Sequence, residues 1–299
     1  MKNFIFKVIL FSVLILLSFV YLNSKRSILF VENFTTHKST YDIINLGNSH
    51  GANISYDKLN GKTFQRAGNT LFYDLQNYNY VKEHLEDDAV VIIPVSYFSF
   101  GLDENRTDYA DPDAFVNYYY MFLPHSSIYD YSFKKNIQVY LNQVKENYHS
   151  VIDERFFLVE KEVDDSIALD EKLENHAIMR AESHKIMADY ADSKKNVIYL
   201  SSLVEDIIQN GHKPVLLTMP YADNYNSKFN EAWLDEHYYQ YMNTIRDKYQ
   251  VPYLNYSVDD RISTNDSLFS NSDHLNDKGR ALFSDILFED LREIQVLRK

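Results

Sequence analysis

Ile43-Ile44-Asn45-Leu46-Gly47-Asn48-Ser49-His50-Gly51 is the stretch whose reading decides the fold. An apolar run stops abruptly at a Gly–Asn–Ser turn. A short apolar run bounded by turn residues reads as a strand buried on both faces, as in a parallel sheet. The carboxyl end of such a strand opens onto a crevice, and the next helix points its positive dipole end there. Ser49 stands at that place. A plainer reading is that Asn48-Ser49 caps a helix starting near Gly51.

Working outward, four further β-rich runs follow: Thr63–Arg66, Ala89–Tyr97, Pro214–Met219 and Pro252–Tyr256, with Asp42–Leu46 as the first. Between them, Leu71, Leu75, Tyr78, Val81 and Leu85 recur at helical spacing, as do Leu203, Ile207 and Ile208. Leu282, Ile286, Leu287, Leu291 and Ile294 repeat the pattern near the end. Strand alternating with helix predicts right-handed crossovers and an α/β fold: a three-layer, doubly wound, flavodoxin-like parallel sheet. Residues 103–195 break the rhythm. They are rich in Tyr, Asp, Asn and Lys, with helical stretches near Phe133–Tyr148 and Asp170–Asp192. They read as a helical insertion between the third and fourth strands, either a lid over the site or a layer on the sheet edge. Its tyrosines suit sugar stacking, but most of them read as core residues.

Phe4 to Leu22 is almost wholly apolar, close to the roughly 20 residues that cross a hydrocarbon core as a helix. Lys7 lies near one end, where it can snorkel. A cleaved signal segment would want a shorter apolar stretch and a small-x-small site, which Leu22-Asn23-Ser24 does not supply. Residues 1–30 therefore read as an uncleaved membrane anchor and residues 31–299 as the α/β domain. The positive-inside count gives a slight lead to a cytoplasmic N-terminus, with the domain outside the cell. Four of the 30 bases and none of the 43 acids lie in residues 1–30, leaving a net of −17 on the rest. That charge argues against a nucleic-acid partner. The absence of cysteine excludes disulfides and thiolate chemistry.

Far along the chain, Ser272-Asp273-His274-Leu275-Asn276-Asp277-Lys278-Gly279 precedes the last amphipathic helix. A serine hydroxyl needs a base within hydrogen-bond reach and donors for the oxyanion that follows. Ser49 and His274 are the candidate nucleophile and base. His50 either packs under the turn or touches substrate. A metal site of His50, Asp273 and His274 matches no ligand spacing, and no cofactor is implied. Asp273 could instead cap the last helix.

Asn48-Ser49 at a strand end, with Asp273-His274-Leu275-Asn276 and Gly279, resembles the SGNH (GDSL-like) hydrolase and acyltransferase superfamily. The Asn-Ser-His and Asp-His-Leu-Asn-x-x-Gly forms resemble its membrane-anchored branch, the D-alanyl transfer proteins of teichoic acid synthesis and related polysaccharide O-acylation proteins. The resemblance covers roughly residues 41–100 and 200–292. It implies an acyl-Ser49 intermediate, with His274 as base and oxyanion donors from Ser49 N–H, Gly68 N–H and Asn69. Asn48 and Ser96 join these by position. Three departures stand out. Asn48 replaces the family's Asp. Asn271 stands three residues before His274, where Asp is expected. Pro94-Val95-Ser96-Tyr97-Phe98-Ser99 replaces a Gly-x-Asn-Asp motif. Adjacent side chains point apart in extended backbone, so Asp273 reaches His274 only through an unusual turn; Asn271 or a backbone carbonyl could orient it instead.

The activity implied is extracytoplasmic acyl transfer, of acetyl or D-alanyl groups, to or from a cell-surface polysaccharide or teichoic acid. The partner implied is a multi-spanning membrane O-acyltransferase. Hydrolysis of O-acyl groups by a carbohydrate esterase is an alternative. A non-catalytic scaffold or glycan-binding partner is another, favoured by Asn271 and the missing third motif.

Overall fold

The computed structural model describes residues 3–18, 40–66, 68–102, 169–189 and 192–297, with backbone alone for 169–173. The chain divides into two compact units. One comprises Met1–Ser39 and Asp111–Val163; of it, only the helix of residues 3–18 is described, and its apolar side chains are exposed. The expected anchor ran on through residues 19–22, which lie outside the described residues. Among the described residues no helix is long and apolar enough to cross a membrane. The other unit, Thr40–Ala110 with Asp164–Lys299, holds everything below.

That second unit is built on five parallel strands, β1 (Tyr41–Asn45), β2 (Gly61–Thr63), β3 (Leu85–Pro94), β4 (Lys213–Thr218) and β5 (Tyr253–Asn255). Their order is β2-β1-β3-β4-β5. This is the flavodoxin-like doubly wound arrangement expected from the alternating runs. All five expected strands are present, displaced by a few residues. β3 starts earlier than its apolar run because Leu85 pairs with Tyr41 before a register shift, at which Asp88 takes φ +64°. Ile43, Ile44, Val91, Ile92 and Ile93 are fully buried. Each such side chain contributes roughly 1.5–3 kcal/mol by leaving water.

Helices α1 (Leu71–Val81), α2 (Leu169–Ala188), α3 (Ser193–Gln209), α4 (Gln240–Tyr249) and α5 (Asp277–Glu293) flank the sheet. α1 packs on α3, and α3 on α4, while α5 packs on the 3₁₀ turn Ser49–Asn53 that leaves β1. The chain steps one way from β1 to β2 and the other way afterwards, so right-handed crossovers put these two groups on opposite faces. The order reverses between β1 and β3, and the crevice at such a reversal, beyond the strands' carboxyl ends, is where α/β sheets bind ligands. α4 is absent from the sequence reading: a π-helical run, Asp235–Tyr239, precedes it and breaks the apolar period. Two short antiparallel strands, β6 (Phe269–Asn271) and β7 (His274–Leu275), form a tight hairpin before α5.

Of the expected insertion, residues 103–168 and 190–191, including the stretch Phe133–Tyr148, lie outside the described residues. Its last helix is described as α2. Phe98, Leu102, Met187 and Ala188 form a small buried cluster that docks this helix beside the end of β3. α2 is a wall of the crevice rather than a layer on the sheet edge.

Candidate active site

The turn after β1 is shaped by groups that leave it little freedom. The buried Asn45 amide donates to Leu46 O and Gly51 O, both at 3.0 Å. Gly47 takes φ +99°, and a Cβ there would meet Pro94 O at 3.0 Å, so only glycine passes without strain. Gly47 N–H donates to Asp74 Oδ1 at 2.9 Å, and Asn69 Nδ2 donates to the same oxygen at 2.5 Å. One buried carboxylate thus ties the serine turn to the loop carrying Gly68. Burial pushes the Asp74 carboxyl up to about 7, against the pull of these two hydrogen bonds. Asn48 caps the 3₁₀ turn through His50 N–H at 3.1 Å. The capping expected of this turn is thus present, supplied by the Asn48 side chain.

The β6–β7 hairpin brings its histidine to that turn. Asn271 and His274 pair across the hairpin, which places Asn271 Oδ1 3.1 Å from His274 Nδ1. The same oxygen accepts Asp273 N–H at 3.2 Å, which fixes the amide's orientation. With Nδ1–H donating to Asn271, His274 Nε2 accepts from the Ser49 hydroxyl at 2.9 Å. Asp273 Oδ1 lies 3.4 Å from His274 Nδ1, close enough for charge attraction, while the hydrogen bond goes to Asn271. The tight turn turns the carboxylate back toward its neighbour, which extended backbone would not. Both residues therefore face Nδ1, Asn271 through the hydrogen bond and Asp273 through its nearby carboxylate.

Asp273 is fully buried, and burial alone would raise its pKa. The facing His274 and His50 rings overcome that and hold its carboxyl well below the usual range. Its Oδ2 accepts from His50 Nε2 at 3.2 Å and from Arg180 Nε and Nη2 at 3.2 and 2.9 Å. His184 Nε2 stands 3.9 Å away. Arg180 and His184 come from α2, together with His176, whose Nδ1 lies 2.8 Å from Ser272 Oγ. These three residues are spaced one helical turn apart and line one side of the hairpin. The sequence reading missed them, although the His-x3-Arg-x3-His spacing is visible.

A pocket of about 140 Å³ opens beside Ser49, lined by Asn48, Gly68, Phe98, Leu102, Arg180, His184 and Met187. Gly68, at φ +70°, shares it with the serine. Of the expected site residues only Ser49, Asn48 and Gly68 line this pocket; His274, Asp273 and Asn271 stand behind Ser49, and the expected oxyanion or substrate-binding residues Asn69, Ser96 and His50 lie elsewhere. The Asn69 amide donates one of its protons to Asp74. Ser96, 1% exposed, sits behind the turn with its Oγ 2.6 Å from His50 Nδ1 and accepting Asn48 Nδ2 at 3.0 Å. His50 is fully buried and packs under the turn, as the blander reading had it, yet both its ring nitrogens have polar partners. Asn276, not Asp273, caps α5, accepting Lys278 N–H and Gly279 N–H. Despite their unmatched spacing, His50, Asp273 and His274 bring ligand atoms within 4.8 Å of one another. The Arg180 guanidinium on the same carboxylate opposes a cation there, and the hydrogen bonding fits proton chemistry instead.

No family model and no curated protein matches the chain. Solved structures similar to it include an inferred acylhydrolase from Bacteroides fragilis, at 10% identity and TM-score 0.44, covering 88% of this chain and 95% of that one. A GDSL-like lipase from Bacteroides thetaiotaomicron matches at 11% identity and TM-score 0.39, covering 84% and 88%. A catalytic mutant of an acetylxylan esterase from Geobacillus stearothermophilus matches at 13% identity and TM-score 0.37, covering 88% and 99%. Likenesses this distant decide nothing about chemistry, which rests on the geometry just given.

Proposed function

We propose that this chain transfers acyl groups through an ester on Ser49. The observation that carries the reading is the Ser49 hydroxyl bonded to His274 Nε2 at 2.9 Å, at the mouth of a pocket shared with Gly68. His274 takes the Ser49 proton as Oγ attacks the acyl carbonyl. Backbone N–H groups of Ser49 and Gly68 are the donors for the developing oxyanion; neither is engaged by another group among the described residues. Collapse of the intermediate expels the alcohol, which leaves with the proton from His274. The imidazole then deprotonates the acceptor, either a hydroxyl or water, and the acceptor oxygen releases the acyl group from Ser49. Asp273, ionised and buried 3.4 Å from Nδ1, stabilises the imidazolium of both steps.

Transfer to a cell-surface polysaccharide or teichoic acid, in partnership with a membrane O-acyltransferase, is the setting we favour. The apolar, exposed helix of residues 3–18 and the absence of cysteine support an anchored, extracytoplasmic domain. Esterase action on an O-acylated glycan uses the same atoms with water as acceptor. The test is labelling of the purified full-length chain with a fluorophosphonate, beside Ser49→Ala and His274→Ala. Labelling of the wild type that is lost in both variants is expected. A folded wild type that takes no label would sink the reading.

A further inference from the structure

We propose that His50 is a positioning residue: a neutral imidazole, its Nε2–H tautomer set by Asp273 and its Nδ1 anchored by Ser96, that holds the Asp273 carboxylate in place beside His274. This rests on the acyl-transfer reading of Ser49 and His274.

The assignment follows from what each group can donate. An ionised carboxylate only accepts, so the proton between His50 Nε2 and Asp273 Oδ2, 3.2 Å apart, sits on the imidazole. Burial lowers the His50 pKa to about 4, chiefly by desolvation, with the neighbouring His274 adding to it and Asp273 opposing. At neutral pH the ring therefore has no second proton, and Nδ1 is bare. A bare Nδ1 at 2.6 Å from Ser96 Oγ requires the hydroxyl to donate. Ser96 Oγ is filled from the other side by Asn48 Nδ2 at 3.0 Å, and Asn48 Oδ1 takes His50 N–H at 3.1 Å. Ser96 Oγ also stands 3.2 Å from Asn48 Oδ1, a second acceptor, and the shorter 2.6 Å contact assigns the hydroxyl proton to His50.

The ring is also fixed in space. His50 lies 4.6 Å from the His274 ring at an interplanar angle of 33°, with Tyr221 at 5.2 Å and Phe98 at 5.9 Å. A charge on His50 would oppose the imidazolium that His274 becomes during acylation, so its neutrality serves the chemistry as well as the geometry. Removing the Ser96 hydroxyl leaves Nδ1 without a donor. The Nε2–H bond to Asp273 still holds the tautomer, but Nδ1 is left a buried acceptor without a partner and the ring loses one of its two polar anchors.

The test uses the full-length chain with ¹⁵N-labelled histidine at neutral pH. The wild type and Ser96→Ala are both expected to show His50 as the Nε2–H tautomer, with the Nδ1 resonance of Ser96→Ala shifted by loss of the hydroxyl. Ester turnover by Ser96→Ala should fall in kcat by about tenfold, the scale of a lost outer-shell hydrogen bond that fixes a positioning group, with KM within about twofold. His50→Gln keeps an amide donor for Asp273 and should retain about tenfold more kcat than His50→Leu. An imidazolium or an Nδ1–H tautomer in the wild type would overturn the proposal. So would a Ser96→Ala variant with the Nδ1 resonance and kcat unmoved, or equal losses in the Gln and Leu variants. A wild type that turns over no ester yet shows the Nε2–H tautomer would sink acyl transfer and leave the bracing of Asp273 standing.

Discussion

Two serine–histidine pairs meet at Asp273, and only one of them opens to solvent. In the Ser49–His274 pair the imidazole is 22% exposed and the hydroxyl borders a pocket. In the Ser96–His50 pair both residues are buried, although the O···N distance is shorter, 2.6 against 2.9 Å. The residue types and the shared acid are the same. Burial depresses His50 until it cannot take a proton from Ser96 at neutral pH, and it closes Ser96 to substrate. Serine–histidine–aspartate distances alone do not make a catalytic site; access and proton affinity do. The buried pair instead braces the acid that the exposed pair uses.

The largest test of this division is Asp273→Asn, which strikes the shared member. Removing the charge behind His274 should lower kcat for ester turnover by about 10²–10⁴-fold, the range expected when a catalytic imidazole loses its carboxylate. His50 should keep its Nε2–H tautomer, because the Asn side-chain oxygen can accept the same hydrogen bond. A loss under about fivefold would mean that Asn271 orients His274 unaided and that the Asp273 charge is dispensable.

Asn271 makes the finer test. Asn271→Ala removes the hydrogen bond to Nδ1 but leaves Asp273 3.4 Å away, so a loss of about tenfold in kcat is expected. Asn271→Asp brings a carboxylate to the position where an amide now sits. Combined with Asp273→Asn, it should recover at least about tenfold of the activity that Asp273→Asn alone loses, because the charge has moved rather than vanished. If Asn271→Asp gives no recovery in that background, the charge must come from the position of Asp273, and the division of labour is stricter than drawn here.

What the sequence disclosed follows the same line between local and assembled features. The strands were legible because runs such as Val90-Val91-Ile92-Ile93 are buried on both faces and end at turn residues. Ser49 and His274 were legible because each lies in a short segment whose own turn announces it. The brace was not. Ser96 and His50 are 46 residues apart, and nothing near either one names the other. Arg180 and His184 lie in a helix full of Lys and Glu, where a polar stripe reads as a solvated face. Only docking against the Ser272–His274 segment gives it meaning. Asn69 is a related case: its own segment does not disclose that an amide proton goes to the buried carboxyl of Asp74.

Asp74 gives the smallest effect on activity and a distinct signature in stability. It supports the serine turn without touching the reacting atoms, and Asp74→Asn retains an oxygen able to accept from Gly47 N–H and Asn69 Nδ2. A loss of only a few-fold in kcat at neutral pH is therefore expected. Stability should respond differently. The unfolded carboxyl titrates near 3.8 and the folded one at about 7, so between those values the native chain holds a proton that the unfolded chain has released. The contribution of Asp74 to stability is thus greatest below the unfolded value and falls as pH rises through the window. Asn cannot titrate, so Asp74→Asn should gain on the wild type between pH 4 and 8. The gain should reach up to about 4 kcal/mol, because one proton held only by the folded chain changes stability by roughly 1.4 kcal/mol for each step of one in pH. Urea unfolding of both chains at several pH values reads the difference directly. Parallel stability curves would mean that Asp74 keeps its ordinary proton affinity in the fold, and that its two hydrogen bonds, to the serine turn and to the Gly68 loop, fully offset the cost of burying its charge.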